Sequence, residues 1–289
     1  LRRYLKTQAF DVVIDHRPKN EYFRELFYAT YIYRNLSAIY VVHSSKKQEY
    51  FTKMATKMAA IYNTQLATVT VSSHIEQHVA KTSGVLNCST IHNAYNPAWK
   101  QEISLDDLPA NNYILSYGRL YDGIKDFSFL IHSFNASRVW KDGVSLVIMG
   151  DGPDKKMLQD LAASMPCNKH IVFLPFTKAP FGIIKNARCV TLTSFYEGFP
   201  MVLVESLSVG VPVVSLDIVS GPSEIIQHNY NGLLVKERDP EKFADALGVI
   251  CRDEVLYLKL KAQTQGSMLQ FSMLEISAKW DKLLQHVIR

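Results

Sequence analysis

Along the 289 residues, short β-branched runs alternate with stretches whose apolar positions recur at helical spacing. Such alternation predicts parallel sheets covered by helices, an α/β fold. Strands are expected at 10–15, 38–43, 68–72 and 89–92, and then at 113–117, 145–149, 171–174, 189–193, 212–216 and 232–235. The two sets read as two doubly wound, Rossmann-like domains. Between them, Asn96-Pro97 and the segment 104–112, with Asp106, Asp107, Pro109 and two asparagines, form the most turn-prone stretch in mid-chain. The linker is placed there. The division is therefore 1–108 and 109–289, with the last helix, 272–287, expected to cross back to the N-terminal domain. The second set makes a complete sheet. The first opens on a helix instead of a strand and a Gly-rich turn, which predicts that its first βα units are missing.

Composition narrows the class. At 47% hydrophobic and 20% charged, with 13 Gly and 11 Pro, the chain can bury a core and is unlike disordered or collagen-like sequences. The net charge of +5 is uneven. Residues 1–108 hold 13 basic and 9 acidic side chains, and residues 109–289 hold 19 and 18. This points to an anionic partner for the first part or to an ordinary basic surface. The basic residues are dispersed and no nucleic-acid module appears, so nucleic acid is not an expected partner. Cys88, Cys167, Cys189 and Cys251 lie far apart, without metal-ligand spacing. That predicts free thiols in a reducing, cytoplasmic setting, with Cys189 and Cys251 packed as small hydrophobes. No apolar run approaches the roughly 18 residues of a membrane-spanning helix. Leu1-Arg2-Arg3 has no apolar stretch behind it, so it does not read as a signal peptide.

In an open parallel sheet, ligands lie beyond the carboxyl ends of the strands, so the loops after the strands carry the chemistry. After Tyr117 the chain reads Gly118-Arg119-Leu120-Tyr121-Asp122-Gly123-Ile124-Lys125. Asp126 is then a candidate N-cap for a helix with Phe127, Leu130, Ile131 and Phe134 on one face. A planar guanidinium and a point charge flanking one crevice suit a diphosphate, although solvated surface cations give the same pattern. After Thr193 the chain reads Ser194-Phe195-Tyr196-Glu197-Gly198-Phe199-Pro200-Met201-Val202-Leu203-Val204-Glu205. A helix is expected from Pro200 to Val209, with Glu197 before its N-terminus and Glu205 about a turn and a half inside. Amides there favour an anion and carboxylates favour hydroxyls, so a ligand with both phosphate and sugar fits. Ser220-Gly221-Pro222-Ser223-Glu224 makes another tight turn into a helix.

These residues resemble a known family. Glu197 and Glu205, seven residues apart within Glu-Gly-Phe-Pro-Met-Val-Leu-Val-Glu, resemble the E-x7-E signature of retaining GT-B glycosyltransferases, family 4 in particular. Gly118-Arg119-Leu120 with Lys125, Met149-Gly150-Asp151-Gly152-Pro153 and Ser220-Gly221-Pro222-Ser223-Glu224 resemble further elements of that family. The resemblance implies a GT-B fold of two domains facing a cleft, with the nucleotide-sugar donor bound by the C-terminal domain and the acceptor by the N-terminal one. It implies that Arg119 and Lys125 hold the diphosphate, Glu205 the ribose and Glu197 the donor sugar. Gly118, Phe176, Gly198, Phe199, Pro200 and Met201 complete the donor site, Phe176 beside the base. His43, at the end of its strand, matches the family's N-domain histidine, or else is a capped loop residue. Lys125 follows Arg119 by six residues, one more than the commonest spacing.

The implied activity is retaining hexosyl transfer from a nucleotide sugar, UDP-sugar by preference, to a saccharide or lipid-linked saccharide in cell-envelope polysaccharide or lipopolysaccharide synthesis. No Asp-x-Asp occurs in the chain, so neither a metal nor another cofactor is expected. Two other readings stay open: a GT-B-type nucleotide-sugar epimerase, and a truncated nucleotide-sugar-binding module without turnover. Lys46, Lys47, Lys53 and Lys57 accompany Tyr50, Phe51, Met54, Met58 and Ile61. They read either as a basic amphipathic stripe peripheral to an anionic membrane, at the inner face of the cytoplasmic membrane, or as a core-packed helix with solvated lysines.

Overall fold

The computed structural model describes residues 1–8, 10–96, 98, 110 and 112–287. They form two wholly parallel sheets. The first has the strands β1 (Val13–Asp15), β2 (Ala38–Val42), β3 (Ala67–Thr70) and β4 (Cys88–Thr90), in that spatial order. The second has β5 (Tyr113–Tyr117), β6 (Ser145–Met149), β7 (Ile171–Leu174), β8 (Cys189–Leu192), β9 (Val213–Leu216) and β10 (Gly232–Val235), in the order β10-β9-β8-β5-β6-β7.

All ten expected strands are present. The largest shortfall is β1, where Phe10 is 43% exposed and only Val13 to Asp15 pair with Ala38 to Tyr40. In the second sheet the chain runs outward from β5 through β7, then returns to pair β8 with the other side of β5. The order therefore reverses between β5 and β8. At such a switch point the two following loops diverge to opposite faces and leave a crevice at the carboxyl ends.

Alternation along the strands sorts side chains between two cores. Tyr113, Leu115, Val147, Met149 and Val213 face a cluster that continues into the first sheet. Their neighbours Ile114, Leu146, Ile148, Val214 and Leu216 face a second cluster. There Phe127, Leu130, Ile131 and Phe134, at helical spacing on Phe127–Ser137, pack with Phe243, Leu247 and Ile250 of Pro240–Arg252. Each such side chain contributes about 1.5–3 kcal/mol by leaving water.

The linker expected at Asn96-Pro97 and 104–112 lies largely outside the described residues. Beyond it, the Tyr95 amide donates to the Phe271 carbonyl at 3.0 Å. Ile276 of the last helix, Met273–Val287, is buried in the cluster shared with the first sheet, and Trp280, Leu283 and Leu284 pack against it.

The stripe over 46–61 is core-packed, the second of its two readings. It is broken into a 3-10 turn at Lys47–Glu49 and a helix at Ala55–Asn63. Tyr50, Phe51, Met58 and Ile61 are all buried, and only Met54 is exposed. Its apolar side chains other than Met54 are core residues, while Lys46, Lys53 and Lys57 are exposed. Cys189 and Cys167 are buried, Cys88 and Cys251 are half-buried, and all four are free thiols.

Candidate active site

The loops after β5 and β6 are laced together by their backbones. The Gly118 amide donates to the Met149 carbonyl at 3.0 Å, and the Leu120 amide to the Asp151 carbonyl at 2.9 Å. Glycine is required where they meet: a Cβ on Gly150, whose φ is +150°, would lie 1.9 Å from the Gly118 carbonyl oxygen. The Asp154 carboxylate accepts from the Asp122 amide at 2.7 Å, which fixes the start of the short helix Asp122–Lys125. Asp126 follows with φ +52° and caps the next helix by accepting from the Phe129 amide at 3.2 Å, as expected. This turn aims Lys125 across the switch point, where its Nζ lies 2.6 Å from Glu197 Oε1. Arg119 is exposed, and its guanidinium has no hydrogen-bond or ion-pair partner among the described residues.

The loop after β8 is strapped from behind by Arg238. Its guanidinium pairs with Asp126, donates to the carbonyls of Thr193 (2.9 Å) and Ser194 (2.6 Å), and lies 4.2 Å from the centre of the Phe195 ring. Glu197 Oε1 also accepts from Ser194 Oγ at 2.7 Å. Pro200 is extended and caps the helix Met201–Ser208, one residue shorter at each end than expected. Glu205 sits in its second turn and accepts from the Tyr117 hydroxyl at 2.6 Å. Burial pushes the Glu205 carboxyl above its ordinary value, and the Tyr117 hydrogen bond partly offsets that.

A cavity of about 590 Å³ opens here, lined by Gly118, Arg119, Phe176, Lys178, Val202 and Glu205 among others. Phe176 is 67% exposed at its rim. The Lys125–Glu197 pair adjoins it, since a Cβ on Gly118 would lie 3.8 Å from Lys125 Cε. Of the expected site residues of the second sheet, Gly118, Arg119, Phe176 and Glu205 line this cavity, whereas Gly198, Pro200 and Met201 are not among its lining residues. Phe199 is buried, its ring packed against His92 (4.9 Å) and Phe271 (5.2 Å), and it is not among the residues lining this cavity.

The first sheet packs against the loops after β8 and β9. Ser45 Oγ donates to the Glu197 carbonyl at 2.7 Å, and a Cβ on Gly198 would lie 1.8 Å from the His43 carbonyl oxygen. Ser72 and Ser220 share a hydrogen bond at 2.9 Å. The Glu224 carboxylate accepts from the amides of Ser73 (2.9 Å) and His74 (3.3 Å) and pairs with His92 Nε2 at 2.9 Å. Burial alone would raise this carboxyl, but those hydrogen bonds outweigh it and hold it at about 2. Among the described residues, no group of three His, Cys, Asp or Glu could hold a metal ion.

Residues 100–266 match the family of glycosyl transferases group 1, more than half of the chain. The chain belongs to this family. Among its relatives, the lipopolysaccharide 1,6-galactosyltransferase of Escherichia coli is 31% identical over 194 residues, covering 64% of this chain and 52% of that protein. A Campylobacter jejuni N-acetylgalactosamine-N,N'-diacetylbacillosaminyl-diphospho-undecaprenol 4-alpha-N-acetylgalactosaminyltransferase is 30% identical over 182 residues, 62% of this chain and 49% of that one. The chain spans about half the length, or less, of the curated relatives it matches. Among solved structures, Anabaena HepE in complex with UDP and glucose superposes with a TM-score of 0.81 at 19% identity, covering 98% of this chain and 80% of that one. Staphylococcus aureus TarM gives 0.81 at 21%, with 97% and 57% covered. This likeness establishes the GT-B architecture of the group 1 member described here.

Several residues around the group 1 site escaped the sequence reading. Arg238 lies 41 residues beyond Glu197 in an unremarkable Lys-Glu-Arg-Asp run. Tyr117 reads as one more apolar strand residue. His16 pairs with His43, Nδ1 to Nε2, at 2.9 Å. Beside it Arg17 and Lys19 look like free cations, yet they pair with Asp15, and Arg17 also with Glu25. Two basic side chains of the first part are therefore held internally by two acidic ones, which leaves its net basic excess unchanged.

Proposed function

We propose that this chain carries the donor-binding and much of the acceptor-binding body of a retaining glycosyltransferase. In this reading it moves a hexosyl group from a UDP-sugar to a saccharide or lipid-linked saccharide of the cell envelope. The carrying observation is that Arg119 and Glu205 line one cavity, with the Lys125–Glu197 pair beside it. The names of the E. coli and C. jejuni relatives, which point to lipopolysaccharide and an undecaprenol-linked saccharide, support the acceptor class. The UDP bound in HepE supports the donor.

In this mechanism Arg119 and Lys125 receive the charge that develops on the departing diphosphate, without a metal. Each preorganised donor contributes roughly 10²- to 10³-fold in rate. Glu205 accepts from the ribose hydroxyls. Glu197 orients the donor sugar and, already bonded to Lys125 and Ser194, is no free nucleophile. His43 faces the sugar from the first domain, residues 1–108, while residues 109–289 hold the nucleotide. The leaving phosphate takes the acceptor proton on the same face, which retains configuration. Among the described residues no helix is long and apolar enough to cross a membrane. Work at the inner face of the cytoplasmic membrane is part of the proposal, through an acceptor that is itself lipid-linked.

The test is incubation of the protein with labelled UDP-glucose, UDP-galactose and UDP-N-acetylgalactosamine, with and without an envelope lipid extract and with EDTA. Acceptor-dependent label transfer that survives EDTA is expected. Epimerised sugar released without acceptor would instead support the epimerase, and nucleotide binding without turnover the inactive module.

A further inference from the structure

The carboxyl ends of β1 and β2 each carry a histidine, His16 and His43. Their rings lie 5.1 Å apart between centroids, tilted by 33°, with His16 Nδ1 2.9 Å from His43 Nε2. This is a hydrogen bond between two imidazoles, so one ring must donate and the other accept, and neither ring can choose its tautomer alone. The loop that presents His16 is held by a buried network. Lys19, 0% exposed, donates from Nζ to the carbonyls of Asp15 (3.1 Å) and Arg17 (2.8 Å). Arg17 forks onto Asp15 at 3.1 and 2.7 Å, and Tyr33 donates to the same carboxylate at 3.1 Å. A buried lysine spent on two main-chain carbonyls of one five-residue turn fixes that turn. His16 is thereby a fixed partner for His43, whose own carbonyl abuts Gly198 of the Glu197 loop.

We propose that His16 is a positioning residue: through its hydrogen bond it sets the tautomer and ring orientation that His43 presents to the donor sugar. This rests on the reading of His43 given above. His43 is half-buried, faced by His16 and Lys19 from the loop after β1 and by Tyr50, which follows the turn Lys47–Glu49 and bonds to its main chain. Burial first, then the charges of His16 and Lys19, hold its imidazole at about 4, so it stays neutral at physiological pH. Burial and Lys19 also depress His16, against the pull of Asp15. Two neutral rings can share one proton in a fixed direction, whereas two imidazolium rings could not pair.

The experiment compares wild type, His16→Ala, His16→Asn, His43→Ala and the double variant. Histidine ring-nitrogen NMR over pH 3–8 is one readout, and kcat and donor KM with the UDP-sugars above are the other. His16→Ala is expected to change the ring-nitrogen shifts of His43 and to move its titration upward by about half a unit or more, because one like charge is gone. By analogy with groups that orient metal-bound imidazoles, kcat should fall about ten- to a hundredfold with donor KM little changed. His16→Asn, which keeps a short donor and acceptor, should restore part of that loss. Adding His16→Ala to His43→Ala should cost nothing more. Unchanged His43 spectra in His16→Ala, or fully additive losses in the double variant, would overturn the proposal. A wild-type protein with no turnover would overturn the functional reading, and the spectra would then still decide whether His16 governs His43.

Discussion

The ammonium of Lys125 lies 2.6 Å from the carboxylate of Glu197, joining the loop after β5 to the loop after β8 across the point where the strand order reverses. The pair is mostly buried, with the two side chains 22% and 15% exposed. Arg119, six residues earlier, is exposed, and its guanidinium is unpaired among the described residues. The two cations proposed to hold the diphosphate therefore differ in what else they support.

That difference separates folding from chemistry. Lys125→Ala strips Glu197 of its charge partner and is expected to cost about 1–3 kcal/mol of stability, besides lowering transfer roughly 10²- to 10³-fold. Arg119→Ala is expected to leave the melting temperature unchanged while losing a comparable factor in transfer. Thermal melting alongside single-turnover kinetics measures both. Unchanged transfer in both variants would remove the diphosphate assignment.

Glu205 yields a prediction of opposite sign for stability and binding. Burial raises its carboxyl in the folded protein, so its favourable contribution is complete below the ordinary value near 4.5 and is lost as pH rises through the folded value. Glu205→Gln should therefore be no less stable than wild type at pH 7. It should nonetheless bind UDP roughly ten- to a hundredfold more weakly, the scale of a lost hydrogen bond to a charged acceptor. Tyr117→Phe removes the one bond that lowers this carboxyl, so UDP affinity should begin to fall at a higher pH. Calorimetric titrations with UDP between pH 4.5 and 8 test both; a Glu205→Gln affinity equal to wild type would contradict the ribose role.

Glu224 ties the two sheets together and behaves in the reverse sense. Its carboxyl is held at about 2 despite burial, so its contribution is present above the ordinary value near 4.5 and disappears as pH falls from there toward 2. A shift of that size is worth on the order of 3 kcal/mol. Glu224→Gln should lower the neutral-pH stability by part of that amount and flatten the acid limb of a melting-temperature profile. A wild-type profile with no acid limb in that window would contradict it.

The fold was legible because strands buried on both faces must be continuous β-branched runs, as in Ala38–Val42, and because Asp126 announces a helix cap. Part of the crevice lies within two short segments, Gly118–Lys125 and Glu197–Glu205, while Met149–Asp151 and Phe176–Phe181 supply the rest of its lining. What brings residues from opposite halves together was not legible. The Glu224 bonds to Ser73 and His74 join positions about 150 apart, and neither end carries a local signal. Arg17, Lys19 and Glu25 have a solvent-facing composition, and only the three-dimensional arrangement reveals that they neutralise one another inside. The 46–61 stripe is core-packed, as one of its two readings had it, but not as one helix: the chain turns at Lys47–Glu49 and starts its helix only at Ala55.

At Gly198 one half of the protein rests against the other through main-chain atoms alone, with no side chain interposed at the His43 carbonyl. Main-chain atoms have no rotamers to yield, so this contact acts as a hard stop on approach of the two lobes. Even a single methyl there would act as a shim, setting the jaws farther apart by an amount that no neighbouring rotamer could recover.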